Sequence, residues 1–211
     1  MPQITIGKGL AFYEDSQALP GVKRVAGMVK QDIELVTGVS PAGITSGQGS
    51  GCAVLYGTIG HSPMLDALEA QGKLDLNAIR GKWECYSFQV IENPLAGINT
   101  ALVIAGSDKR GTIYGLFHLS ELIGVSPLVN WNHVLPRHQD TVVLDDRVNI
   151  VSRVPSVKYR GFFINDEWPA FGNWAKTHFG SMNAACYAPV FELLLRMKGN
   201  YLSVSYTHLT L

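Results

Sequence analysis

GFFINDEWPAFGNW, residues 161–174, decides how this chain is read. Gly161 to Ile164 form a short apolar strand, the polar trio Asn165, Asp166 and Glu167 follows at once, and Trp168 and Trp174 lie just beyond. The strand extends back through VKYR and is apolar on both faces, as parallel strands covered on each side are. Downstream, NAACYAPVFELLLRMKGNYL sets Tyr187, Val190, Phe191, Leu194 and Leu195 on one helical face, with Gly199 near its end. Pro189 falls in the first two turns, where a helix tolerates it best. YLSV then starts a second strand. The pattern predicts a strand, loop, helix, strand unit, the module that a (β/α)8 barrel repeats. Catalytic residues of such barrels sit at the C-terminal ends of strands, where the trio falls. A closed barrel takes about 250 residues. Only 56 residues follow Pro155, so the barrel is expected to be incomplete.

Upstream the chain alternates strands and helices. QITIG and LAFYE read as strands, followed by a helix from about Gly21 to Val36 on which Val22, Val25, Ala26, Val29, Ile33 and Val36 recur at helical spacing. Gly38 and Pro41 stop it, and ITSGQGSG is a loop without chemistry of its own. AVLYGTI, ECYSFQVIE and TALVIAG read as strands, with a short helix around Pro63 to Ala70. From Val125 onward, prolines at 127, 136 and 155 and the loss of helical periodicity indicate extended connection, with Pro155 and Ser156 as the boundary. The fold class is therefore α/β: an N-terminal α/β sandwich-like domain over residues 1–154, then the first β-α-β unit of an incomplete (β/α)8 barrel over 155–202.

Composition excludes several partners. Seventeen basic and seventeen acidic residues cancel, and no stripe of Lys and Arg supplies the electrostatic footprint of nucleic-acid binding. No run approaches the roughly 18 apolar residues of a membrane span. MPQITIGKGLAFYEDS lacks the basic and apolar regions of a secretory signal, so the chain as written reads as cytoplasmic. A secreted or periplasmic location follows instead if the native N-terminus is missing. Cys52, Cys85 and Cys186 lack CxxC spacing and read as buried thiols. The six histidines form no paired ligand motif, so no metal is expected.

AGSDKRGTIYGLFHLSELIG, residues 105–124, looks like a phosphate cradle, because a strand ends at Gly106 and leads directly into a helix N-terminus. It lacks both GxGxxG and GxxxxGK[ST], and Asp108 sits where a phosphate would be repelled. An N-cap at Ser107 or Asp108, with Lys109 and Arg110 in surface ion pairs, is preferred; nucleotide binding stays as the minor alternative.

Two long motifs carry a family resemblance. RGFFINDEWPAFGNWAKTHFG followed by YAPVFELLLRMKGNYL resembles the opening of the catalytic barrel of glycoside hydrolase family 115, the xylan α-1,2-glucuronidases. GSDKRGTIYGLFHLSELIGVSP resembles the matching part of that family's N-terminal α/β domain, and the likeness runs from ITIGKGLAFYEDS to Leu202. It implies a hydrolase that removes glucuronic acid or its 4-O-methyl ether from xylan side branches with inversion and no cofactor, acting on glucuronoxylan or its oligosaccharides. Two departures stand out. After NYL the family continues with a Trp-Pro-Ala-Met-Trp-like run, whereas this chain reads SVSYTHLTL. VSYTHLTL resembles a translated sequencing-adapter tail found on unrelated reading frames, so residues 203–211 are expected to be non-native. VNWNHV, residues 129–134, is poorer in aromatics than the family pattern and has His133 near where that pattern carries an acid.

An inverting glycosidase needs an acid and a base roughly 6.5–9.5 Å apart on opposite faces of the sugar. Neighbouring strand residues project to opposite faces, so Asp166 and Glu167 are not that pair. The acid and base are expected downstream, on elements this chain does not contain. Asn165, Asp166, Glu167 and Trp168 are the candidate substrate-binding residues, through hydrogen bonds to sugar hydroxyls and stacking by Trp168 or Trp174. The competing reading has Asp166 or Glu167 capping the following loop or pairing with Arg160 or Lys176. A carboxylate-bearing sugar also calls for an Arg or Lys clamp, and none is assignable here. The contrasting functional class is a standalone α/β carbohydrate- or partner-binding module.

Overall fold

The computed structural model describes residues 2–45, 51–131 and 134–205. The chain divides into two units, Met1–Val129 with Val134–Pro155, and Asn130–His133 with Ser156–Leu211. Most of the loop ITSGQGSG, the pair Asn132 and His133, and the tail 206–211 lie outside the described residues.

In the first unit, β1 (Gln3–Gly7) and β7 (Thr141–Asp145) form an antiparallel pair. The main sheet has six strands in the order β3-β2-β4-β6-β5-β8. Strands β2 (Leu10–Tyr13), β3 (Ala42–Ile44), β4 (Cys52–Thr58) and β6 (Thr100–Gly106) run parallel. Strands β5 (Tyr86–Glu92) and β8 (Ile150–Val151) complete it, with β5 antiparallel to both β6 and β8.

Period-two alternation divides each central strand between two faces. Ala53 and Leu55 of β4 and Ala101, Val103 and Ala105 of β6 join one apolar cluster with Met64, Leu65 and Leu68 of α2 (Pro63–Ala70). On the other face lie α1 (Pro20–Thr37) and α3 (Lys109–Leu122). All six apolar residues that mark the sequence of α1 are buried. Gly38 ends that helix at φ 73° and donates its N–H to the Glu34 carbonyl at 2.7 Å. A sheet covered on both faces reads as continuous apolar runs, as AVLYGTI and TALVIAG do.

In the second unit, β9 (Gly161–Ile164) and β10 (Tyr201–Val204) pair in parallel, Gly161 opposite Tyr201 and Ile164 opposite Val204. Between them run two helices, α4 (Ala170–Phe179) and α5 (Ala184–Arg196). The sequence reading places a loop where α4 lies. The stretch hides its periodicity behind Pro169, Gly172 and Gly180, yet Phe171, Trp174, Ala175 and His178 stand at i, i+3, i+4 and i+7. Helix α5 buries Cys186, Val190 and Leu194, whereas Phe191, expected on that face, is half-exposed. Phe163 is exposed as well, so β9 is not covered on both faces by the described residues.

Candidate carbohydrate site

The parallel register of β9 and β10 brings the residues after Ile164 and Val204 to one end of the pair. That end is organised around Asp166, which is 6% exposed. Its Oδ2 accepts the Tyr187 hydroxyl of α5 at 2.5 Å, and its Oδ1 accepts the backbone N–H of Ser205 at 3.0 Å. The Ser205 hydroxyl lies 2.6 Å from Asn165 Oδ1 and donates to it. One carboxylate thus ties the ends of both strands to the helix between them. Burial first, then the bond to Asp166 and its charge, pushes the Tyr187 phenol well above its ordinary pKa and keeps it the donor.

Glu167 is half-buried, and its carbonyl accepts the N–H of Gly172 in the first turn of α4. Trp168 is 57% exposed. Its indole lies over Gly172, where an added Cβ would stand 2.6 Å from the ring atoms Cδ2 and Cε2. The glycine makes room for the ring and leaves its outer face open. Trp174 is used differently: it stacks on Trp131 with centroids 5.5 Å apart and planes 27° apart, and it also meets Phe171, His178 and Phe179. Of the two tryptophans considered as sugar platforms, Trp168 has the free face.

Neither partner weighed for the acidic residues, Arg160 or Lys176, makes the bonds that hold Asp166. Arg160 works at the opposite end of the strands: its guanidinium donates to the carbonyls of Lys198 and Val157, and its N–H donates to Asn200 Oδ1 at 2.9 Å. Two contributors escaped the sequence reading. Tyr187 looked like core by its spacing, and its hydroxyl carries no one-dimensional signal. Trp131 is distant in sequence, but with Asn130, which donates to Glu192 Oε1 at 3.0 Å, it belongs to the second unit.

The cradle-like turn of the first unit resolves as a cap. Asp108 Oδ1 accepts Gly111 N–H and Oδ2 accepts Glu84 N–H, both at 2.8 Å, while Arg110 pairs with Glu84 at 3.2 Å. The carboxylate fills the position an anion would take. None of the three cysteines is in a disulfide; Cys85 and Cys186 are buried as expected, whereas Cys52, at the start of β4, is only partly so, and among the described residues no three or more His, Cys, Asp or Glu side chains gather as a metal site. No described helix is long and apolar enough to cross a membrane.

Residues 152–209 match the model of glycosyl hydrolase family 115. The structure as a whole resembles that of a family 115 4-O-methyl-α-glucuronidase with specificity for decorated arabinogalactans, at a TM-score of 0.80 and 28% identity over 99% of this chain. The family resemblance is real. The family 115 segment begins within the link before β9 and takes in the whole Asp166 arrangement. The chain spans 26% of the length of that glucuronidase structure. A second solved structure, CpGH84D, is similar at a TM-score of 0.45 with 10% identity over 76% of this chain and 23% of its own. No curated protein matches.

Proposed function

We propose that the chain is the N-terminal section of a family 115 glycoside hydrolase that removes glucuronic acid or its 4-O-methyl ether from polysaccharide side branches by an inverting mechanism. Residues 1–154 form an accessory α/β domain, and β9, α4, α5 and β10 begin the catalytic barrel. The observation that carries this reading is the parallel β9–β10 pair with Asn165, Asp166, Glu167 and Trp168 at its C-terminal end, inside the matched segment. Asp166 binds substrate indirectly, by fixing the ends of both strands, while Asn165, Glu167 and Trp168 meet the sugar. The catalytic acid and base lie on later strands, and the 211-residue chain alone does not turn over. Glucuronoxylan is the first substrate to try, and decorated arabinogalactan, named for the similar glucuronidase, is the second.

The test uses the native gene, resequenced beyond the codon for Asn200 and expressed at full length. Release of glucuronic acid, with the anomer formed first read by proton NMR, is expected to show inversion. Asp166→Ala and Glu167→Ala are expected to lower the rate unequally. Retention, equal and negligible losses in the two variants, or turnover by the 211-residue chain itself would each overturn this reading.

A further inference from the structure

The first unit holds a cavity of about 340 Å³ between α1 and the carboxyl ends of its parallel strands. Its position follows from topology. The chain leaves β2 through α1 to pair β3 on one side of β2, whereas β4 lies on the other. Ligands of open α/β sheets bind outside the carboxyl ends of the strands at such a reversal. The volume falls at the low end of the roughly 300–1,000 Å³ range of small-molecule sites.

The walls carry charge of both signs. Glu14 and Asp15 come from the end of β2, Lys23 and Lys30 from α1. Lys30 holds Glu14 at 2.5 Å, and Lys23 donates to the Ser16 carbonyl at 2.8 Å. Asp15 is 8% exposed; its Oδ2 accepts the Ser62 hydroxyl at 3.0 Å and its Oδ1 the N–H of Gln17 at 2.9 Å. Tyr56, from β4, also lines the cavity and is 2% exposed as a residue. Burial, and then the nearby charges of Glu14 and Asp15, pushes its phenol up to about 12. The hydroxyl therefore stays protonated and lies within the field of both carboxylates.

We propose that this cavity binds a neutral sugar ring, at a site separate from the Asp166 arrangement. Two carboxylates and two ammonium groups cancel, so an anion meets Glu14 and Asp15 and a cation meets Lys23 and Lys30. A molecule carrying several uncharged hydroxyls meets neither penalty. Its hydroxyls accept from the Tyr56 phenol and donate to the remaining lone pairs of the carboxylates. The inference concerns the first unit alone and stands or falls independently of what the second unit binds.

Gly27 of α1 lines the cavity, and a Cβ built there meets no atom within 4 Å. A leucine at Gly27 therefore starts from open space at its Cβ and adds bulk to the cavity wall, and the loss of a mid-helix glycine favours α1. The experiment titrates the 211-residue chain, followed by protein-observed NMR, with the methyl glycosides of xylose, arabinose and galactose, with glucuronate and with inorganic phosphate. At least one neutral glycoside is expected to bind saturably and more tightly than either anion. Gly27→Leu is expected to weaken that binding at least tenfold. Tyr56→Phe is expected to weaken it about three- to tenfold, the span of one neutral hydrogen bond. Because Tyr56→Phe removes a single atom, it keeps the test open should the leucine variant fail to fold. Three results overturn the proposal: no neutral glycoside saturates, an anion binds more tightly, or binding survives unchanged in a folded Gly27→Leu protein.

Discussion

Tyr187→Phe should loosen the parallel strand pair of the second unit from a distance, because the hydroxyl it removes is one of two donors, among the described residues, to a nearly buried carboxylate. Asp166 is 6% exposed and accepts Tyr187 at 2.5 Å and the Ser205 N–H at 3.0 Å. Hydrogen bonds to charged groups contribute about 1.5–3 kcal/mol each, and removing a donor leaves the carboxylate oxygen unsatisfied. Since about 1.4 kcal/mol is a tenfold change, amides of 161–164 and 201–204 should exchange about ten- to a hundredfold faster. Hydrogen exchange with residue-level readout suits this chain, because a protein of two units need not unfold in one step. Asp166→Asn should reproduce much of the loss. The double variant should lose less than the sum of the singles, with a coupling of about 1–2 kcal/mol, within the span measured for residues in direct contact. The Ser205 bond comes from backbone, so Ser205→Ala should leave Asp166 held and lose only the hydroxyl bond to Asn165. Unchanged exchange in Tyr187→Phe, or additive losses in the double variant, would refute the claim that Asp166 ties the strands to α5.

Three further outcomes are expected. Asp108→Ala removes two backbone N–H partners at once, at Gly111 and Glu84, and should destabilise α3 by about 2–3 kcal/mol, read as faster exchange over its first turn. Bonds from Arg147 hold the Asp145 carboxyl below its ordinary range, so its stabilising contribution is present above the unfolded value near 3.9 and is lost as pH falls through the folded value. An Asp145→Asn variant should therefore melt below the parent at neutral pH, with the gap closing in acid; a gap independent of pH would refute this. Residues 1–154 should give a higher soluble yield than the longer chain, in which Phe163 and Phe191 are exposed; the reverse would place residues 155–205 in the core of the first unit.

Long periodic elements were legible in the sequence. The burial of Val22 to Val36 on α1, the cap at Asp108 and the strands around Leu55 and Val103 follow from period and cap chemistry that act within a few residues. Helix α4 was not legible, because Pro169, Gly172 and Gly180 read as breakers although they sit at its ends or beneath an indole ring. The candidate site was legible only in position. That Asn165 to Trp168 end a strand can be read from GFFINDEW, but the partners of Asp166 stand 21 and 39 residues away and meet it only once β9 and β10 pair. Phe163 and Phe191 broke the expected pattern for a related reason: their apolar character anticipates a covering layer that the described residues do not supply.

Helix α3 approaches its sheet more closely than side chains allow. A Cβ at Gly111 would fall inside the contact radius of the Cys85 carbonyl oxygen, and one at Gly115 would stand 2.6 Å from Ile104 Cγ2. The two bare positions act as notches that the sheet engages. Sliding or turning α3 by one residue would bring Arg110, Thr112 or Tyr114 to a notch, so no neighbouring register fits. The helix is keyed to one seat, and a partly melted form in which it drifts over an intact sheet has no place to rest. Sheet and helix should come apart in the same step.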